Sequence, residues 1–388
     1  MGQHTADTEE RKKNLSARAA ALVAALIVIC MSVLLFVLPP KEYSQQENRM
    51  LAKLPAFTWD TLQSGSWMDG ITSYASDHFP MRDAWIQVRC AMLLAQGRQE
   101  MNGIYLAKDG YLIGDYPAPQ NTDRIKATFA KFAEKVNAQP NAPHVMLMLV
   151  PTAVTILEDK LPANAPVANQ RVVMQEIAEA VPADIISVYD HLAAKKTDVQ
   201  LFYRTDHHWT TRGAYEGYLA YCDVAQLTAI PLETFEVKEA TTQFHGTYAS
   251  KVNLPWEQGD VITLYTYPGD ALSVRYEDTG EVSDSLYAQK YLQEKDKYSV
   301  FLNNLHPLVV IENQTSATDK NLVLVKDSYA NSMIPFLTHH YDTIYVFDTR
   351  YYRDSVSSFI ASHTEVTDVL ILYNMSTIDT DTGVRGIF

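Results

Sequence analysis

The sequence predicts an α/β domain, a parallel sheet with helices on both faces, carried by one N-terminal transmembrane helix. Three observations predict it. Residues 145–150, 185–189, 322–325, 344–347 and 369–373 are short runs of Val, Ile, Leu, Met and aromatic residues without polar alternation, the pattern of strands buried on both faces. Helix-patterned segments separate them, and strand–helix alternation implies parallel pairing. Ahead of everything lies an apolar run, residues 19–38, broken only by Ser32.

At ~1.5 Å per residue that run spans about 30 Å, the hydrocarbon thickness of a bilayer. Arg11, Lys12, Lys13 and Arg18 precede it and Pro39-Pro40 closes it. Positive-inside orientation leaves residues 1–18 in the cytoplasm and the chain after Pro40 outside. The run is long for a cleaved signal peptide, and no small-residue cleavage site follows it. Residues 39–66 read as a polar, extended tether. From 67 to 97, Trp67, Ile71, Tyr74 and Phe79, then Trp85, Val88, Met92 and Leu93, follow near-helical spacing interrupted by Pro80. Two apolar runs around Lys108-Asp109-Gly110 predict a β-hairpin over 102–113.

The α/β rhythm follows, placing the main domain at 67–388. Helices are expected at 121–138, about 168–181, 211–225, about 330–340 and 351–362. Residues 232–320 interrupt the rhythm. They are rich in Tyr and Thr, with turns at Pro268-Gly269-Asp270 and Thr279-Gly280, and predict a mostly β insertion walling the site. In parallel sheets ligands sit beyond the carboxyl ends of the strands. The residues expected there are Asp190, Asp327-Ser328, Asp348-Thr349-Arg350 and Asn374.

Composition bounds the function. A chain of 388 residues with 47% hydrophobic content can bury a large core in one or two domains. A formal charge of −14 argues against nucleic acid, whose phosphates need clustered Lys and Arg. Cys30 lies in the apolar run, and Cys90 and Cys222 match no disulfide or zinc pattern, so they read as small buried hydrophobes.

Two segments carry chemistry. In Thr205-Asp206-His207-His208-Trp209, residues two apart share a face of an extended stretch. Asp206 can then hold the Nδ1–H of His208 and leave Nε2 free as a base, while His207 points elsewhere. In Lys326-Asp327-Ser328-Tyr329-Ala330-Asn331, Ser328 sits at a strand-to-helix turn, where free backbone N–H groups around Tyr329 can meet an oxyanion. Structural readings stand beside these: Ser328 or Asp327 as an N-cap, His208 as a core histidine, Trp209 as packing. A metal site built from Asp206, His207 or His208 with His245 fits less well, because adjacent histidines diverge and a third ligand lacks recognisable spacing.

The Thr205–Trp209 segment resembles the signature of the DHHW family, relatives of the alginate O-acetyltransferases within the SGNH hydrolase-like superfamily. Supporting blocks are Glu47-Asn48-Arg49, Asp77-His78-Phe79-Pro80-Met81-Arg82-Asp83, Asn102 through Gly110, Phe244-His245-Gly246-Thr247-Tyr248 and Lys326 through Asn331. The resemblance implies an SGNH-like fold and a triad of Ser328, His208 and Asp206. It departs from the family pattern where Lys326 replaces the Gly of Gly-Asp-Ser and where the usual Asn oxyanion donor is missing. Asn331 and Asn374 are candidates for that donor, and Arg350 for charge stabilisation. Trp209 and His207 are expected to contact sugar. The implied activity is extracytoplasmic O-acetyl transfer to a polysaccharide, with a membrane-bound O-acyltransferase as acetyl donor and no cofactor. An acetylesterase with the same triad, and a non-catalytic polysaccharide-binding or assembly protein, are the other readings.

Overall fold

The computed structural model describes residues 2–44, 46–47, 49–253 and 258–388. Asn48 of the resemblance, the side chains at 11–13 and residues 254–257 of the expected insertion lie outside the described residues. The chain forms two compact units, Met1–Gln96 and Gly97–Phe388. Residues 67–96, which the sequence grouped with the α/β domain, belong to the first.

The first unit opens with helix α1 (Gly2–Val37), whose stretch Ser16–Leu35 is long and apolar enough to cross a membrane. A signal sequence passes the same test of length and composition. The tether is not simply extended: Tyr43–Ser44 pairs with Arg49–Met50, and a short helix covers Trp59–Gln63. Helices α2 (Ser66–Asp77) and α3 (Arg82–Ala95) fulfil the helical spacing. Pro80 separates them, and Met81 turns the chain with φ 57°. Glu47 accepts from Arg49 at 2.8 Å and Arg82 at 2.8 Å, and Arg49 also pairs with Asp77. Asp77 in turn accepts from the backbone N–H of Ala52 at 2.8 Å. The two motifs at 47–49 and 77–83 therefore clamp each other through Glu47, Arg49, Asp77 and Arg82.

The second unit holds an eight-stranded sheet. Its strands are β1 (His144–Val150), β2 (Asp184–Ile186), β3 (Leu272–Tyr276), β4 (Val282–Ser283), β5 (Leu308–Asn313), β6 (Asn321–Lys326), β7 (Thr343–Phe347) and β8 (Asp368–Asn374). The order is β4-β3-β5-β7-β6-β8-β1-β2. From β7 to β2 all pairs are parallel, as expected. From β7 to β4 they are antiparallel. This corrects the expected all-parallel sheet and the separate insertion: β3, β4 and β5 extend the main sheet. Among the described residues of 232–320, the strands Glu236–Phe244 and Asp260–Thr266 pair with each other outside it. Both edges end on very short strands, which limits edge-to-edge pairing.

The hairpin appears as Ile104–Leu106 against Leu112–Gly114. Helices cover Thr122–Asn137, Gln170–Ala180, Thr211–Ala225 and Val356–Ser362. Tyr189 opens a helix, Tyr189–Lys195, instead of ending a strand. The expected helix at 330–340 is three short 3₁₀ turns, Ser328–Ser332, Ile334–Phe336 and Thr338–His340. Pro335 removes an N–H and disfavours helical geometry at Ile334. Cys90 and Cys222 are buried.

Candidate functional site

Ser328 follows β6, a central strand of the sheet, and so stands at its carboxyl end. Asp327 performs the capping: its Oδ1 accepts from the Tyr329 N–H at 2.8 Å, and its Oδ2 accepts from Asn374 N at 2.7 Å and Nδ2 at 2.6 Å. Ser328 is left free of that duty, and its Oγ lies 2.8 Å from His208 Nε2.

The 205–208 loop is drawn to Ser328 by buried anchors. Phe202 bridges Trp209. Asp260 accepts from Arg204 N at 2.9 Å, Thr205 N at 2.8 Å and Thr205 Oγ1 at 2.7 Å. Thr210 caps the next helix by accepting from Gly213 N at 3.1 Å. Asp206 Oδ1 accepts from His208 N at 3.0 Å and from His208 Nδ1 at 2.5 Å. A carboxylate only accepts, so Nδ1 carries the proton and Nε2 is the acceptor facing Ser328. The bond to His208 N curls the segment into a turn. His207 therefore does not diverge, as an extended strand would require; its ring lies 3.8 Å from that of His208.

Three residues that sequence reasoning missed complete the setting. Thr247 donates to Asp206 Oδ2 through N at 2.8 Å and Oγ1 at 3.0 Å. With its one hydroxyl proton so used, Thr247 Oγ1 accepts from His207 Nδ1 at 2.8 Å. Gly246 makes the approach possible, since a Cβ there would sit 2.2 Å from Asp206 Cβ. Tyr298 stacks on His208 with centroids 3.7 Å apart and planes 9° apart, and donates to Ser328 O at 3.0 Å. The Phe244–Tyr248 block was the available signal for Gly246 and Thr247; Tyr298 and Asp260 sit in no motif.

Burial works against the Asp206 charge, but His207 and His208 outweigh it and hold the carboxyl well below its usual range. For His208, burial and the neighbouring His207 win over Asp206 and lower the imidazole to about 4. For His207 burial loses to Asp206, and its pKa is raised. At neutral pH His208 is thus neutral, the state a base requires.

The other expected site residues divide. Tyr329 N is committed to Asp327, so it is not a free oxyanion donor, and the expected helix N-terminus is a five-residue 3₁₀ turn. Asn374 Nδ2 is spent on Asp327 and Thr377 and its Oδ1 caps a helix, which removes it as a donor. Trp209 is fully buried, with Nε1 donating to Tyr329 O at 2.9 Å, and cannot stack on a sugar. Arg350 forms a two-pronged pair with Asp348 at 2.8 and 2.5 Å. Lys326 Nζ lies 3.6 Å from the same carboxylate. Asp190 lies in the first turn of the Tyr189–Lys195 helix. Asn331 is buried and its Oδ1 has no hydrogen-bond partner. Among the described residues, the ligand-type atoms that converge are those of Asp206, His207 and His208, without His245. Those of Asp206 and His208 are already paired with each other, and His207 Nδ1 with Thr247.

The chain is 27% identical over 166 residues to a Pseudomonas fluorescens protein described as "Probable alginate O-acetylase AlgJ", covering 40% of this chain and 41% of that one. The chain thus spans about two fifths of the length of the curated relatives it matches. The crystal structure of a DHHW family protein from Eubacterium siraeum has 26% identity and a TM-score of 0.64, covering 74% of this chain and 95% of that one. Bacillus cereus PatB1, solved with a sulfonyl adduct, shares the fold at 18% identity and a TM-score of 0.59, covering 74% of this chain and 99% of that one. The model of the DHHW protein family matches residues 121–347, more than half of the chain and inclusive of Asp206, His208 and Ser328. The chain belongs to the DHHW family.

Proposed function

We propose that the chain is a membrane-anchored, extracytoplasmic O-acetyltransferase that acts on a cell-surface or secreted polysaccharide through an acyl-enzyme on Ser328. The observation that carries the reading is the unbroken line Ser328 Oγ, His208 Nε2, His208 Nδ1, Asp206 Oδ1, with steps of 2.8 and 2.5 Å. Likeness to a protein described as an alginate O-acetylase supports the reaction class. In the first half-reaction Ser328 Oγ attacks the acetyl carbonyl while its proton passes to His208 Nε2. Collapse expels the donor's leaving group, which takes that proton, and leaves acetyl-Ser328. A sugar hydroxyl then attacks, again giving its proton to His208, which returns it to Ser328 as the acetyl group departs. Asp206 orients the ring and balances the imidazolium.

For the oxyanion we assign the backbone N–H groups at Ser328, with the Nδ2 amide of Asn331, three residues on, as the side-chain donor. Arg350 acts at most through charge, because its guanidinium is held by Asp348. His207, about a third exposed beside His208, is the side chain in position to meet the acceptor. Acetyl-CoA is absent outside the membrane, so a membrane-bound O-acyltransferase passes the acetyl group across. Helix α1 serves as anchor.

The test is hydrolysis of a chromogenic acetyl ester by the full chain in detergent, as wild type, Ser328→Ala and His208→Ala. Each substitution is expected to lower kcat by about 10³-fold or more, since the triad acts as a unit. Equal turnover in folded Ser328→Ala protein would sink the reading. Adding candidate polysaccharides then separates transfer, which moves acetyl to sugar, from an acetylesterase that releases only acetate.

A further inference from the structure

Large apolar side chains stand exposed in the first unit far more densely than in the second. Among the described residues, twelve are exposed between Tyr43 and Met92, including two tryptophans and four methionines. Only seven are exposed from Gly97 to the end, none of them Trp, Met or Phe. On α3 three of them form a line, Trp85 at 51%, Val88 at 50% and Met92 at 59% exposed, and Met81, which caps its start, is 71% exposed. Spacings of three and four residues put Trp85, Val88 and Met92 on one helix face. Beside them a groove of about 640 Å³ runs between α2 and α3, lined by Ile71, Phe79, Trp85 and Ile86 with Arg82 and Arg89.

The same region adjoins the end of the apolar helix. A hollow of about 820 Å³ is bounded by Leu35, Leu38, Pro39 and Pro40 on one side and by the 77–84 segment on the other. The Glu47–Arg49–Asp77–Arg82 clamp fixes that segment in place. If α1 crosses the bilayer, Leu38 lies at the outer boundary of the hydrocarbon, and the start of α3 lies beside it. Trp and Met on one face, with arginines at the margin, is the composition of a helix lying in the headgroup region.

We propose that α3 is an interfacial helix whose Trp85–Val88–Met92 face, with Met81 at its start, rests in the outer leaflet of the phospholipid membrane. It is a second attachment next to the anchor, and it rests on the anchor reading given above. The occupant is lipid, because the face continues from the end of the bilayer-length helix.

The test uses the full chain with Cys30→Ser, so that the remaining native cysteines are buried. Val88→Cys is compared with Val282→Cys, an exposed position of the second unit. In proteoliposomes of phosphatidylcholine and phosphatidylglycerol containing only this chain, a fluorophore at Val88→Cys should be quenched several-fold more by brominated phospholipid than one at Val282→Cys. In native membranes Val88→Cys should label several-fold more slowly with a water-soluble maleimide, a difference that detergent abolishes. Equal quenching at the two positions overturns the proposal. Protection in native membranes without quenching in proteoliposomes also overturns it, in favour of a protein partner on the same face. Alkaline carbonate extraction separates this from the anchor: release of the unmodified chain defeats the anchor reading and the proposal with it, whereas retention with equal quenching defeats the proposal alone.

Discussion

Asp206 accepts four hydrogen bonds, two from His208 and two from Thr247. Every lone pair is therefore directed, and the carboxylate is fixed against rotation. His207 enters this arrangement through Thr247 and by its proximity to His208. Its charge disfavours a second charge on His208, whose pKa stands at about 4. A base works only when neutral, so activity is expected to persist below pH 6 and to fall as pH drops through about 4. Replacing His207 with Asn removes the neighbouring positive charge, so the His208 pKa rises and the acidic limb of kcat/KM moves to higher pH. Profiles of wild type and His207→Asn with an acetyl ester check this, and coincident acidic limbs would refute it. The Asp206–His208 pair was legible because the two residues are neighbours in sequence. Its Thr247 support was visible only as an unexplained block. Trp209 was misread as a sugar platform because its neighbours are reactive. The sign of its burial was Gly217 on the following helix, where a Cβ would come within 2.7 Å of the indole.

Among elements, β6 and β7 end on a buried charge group: Lys326 and Arg350 share Asp348, which is itself fully buried. The Lys that replaces the family's Gly is thus neutralised by the next strand. Burial still pushes its pKa down, with Asp348 offsetting part of that loss. Asp348→Ala leaves two cations facing each other without a partner. It is expected to cost about 3–5 kcal/mol, the usual effect of breaking a buried pair from one side, read as a lower denaturant midpoint. A change under about 1 kcal/mol, the level of an exposed pair, would contradict this account. The parallel strands were legible because residues buried on both faces leave unbroken apolar runs. Strands β3 to β5 were not, because the Tyr- and Thr-rich stretch that holds them reads equally well as a separate β unit. The turn after Ser328 was expected as a helix from the strand–helix alternation, whereas Pro335 breaks the hydrogen-bond ladder.

At the scale of the molecule, the chain sorts its motifs by task. Those at 47–49 and 77–83 lock the segment next to the apolar helix, and those at 205–209, 244–248 and 326–331 converge at the carboxyl end of β6. Order along the sequence could not separate these tasks, since both sets were read as blocks of one family resemblance, whereas the family model matches residues 121–347 alone. The chemistry proposed for the second set has a direct signature. Full-length wild type, Ser328→Ala and His208→Ala are mixed briefly with an activated acetyl ester, quenched in acid and digested, and the peptide bearing Ser328 is weighed. The account predicts one acetyl group on Ser328 of the wild type, formed no more slowly than turnover, and none in either variant. A folded wild type that turns over the ester with Ser328 unmodified, or with the acetyl group on another residue at the rate of turnover, would contradict it.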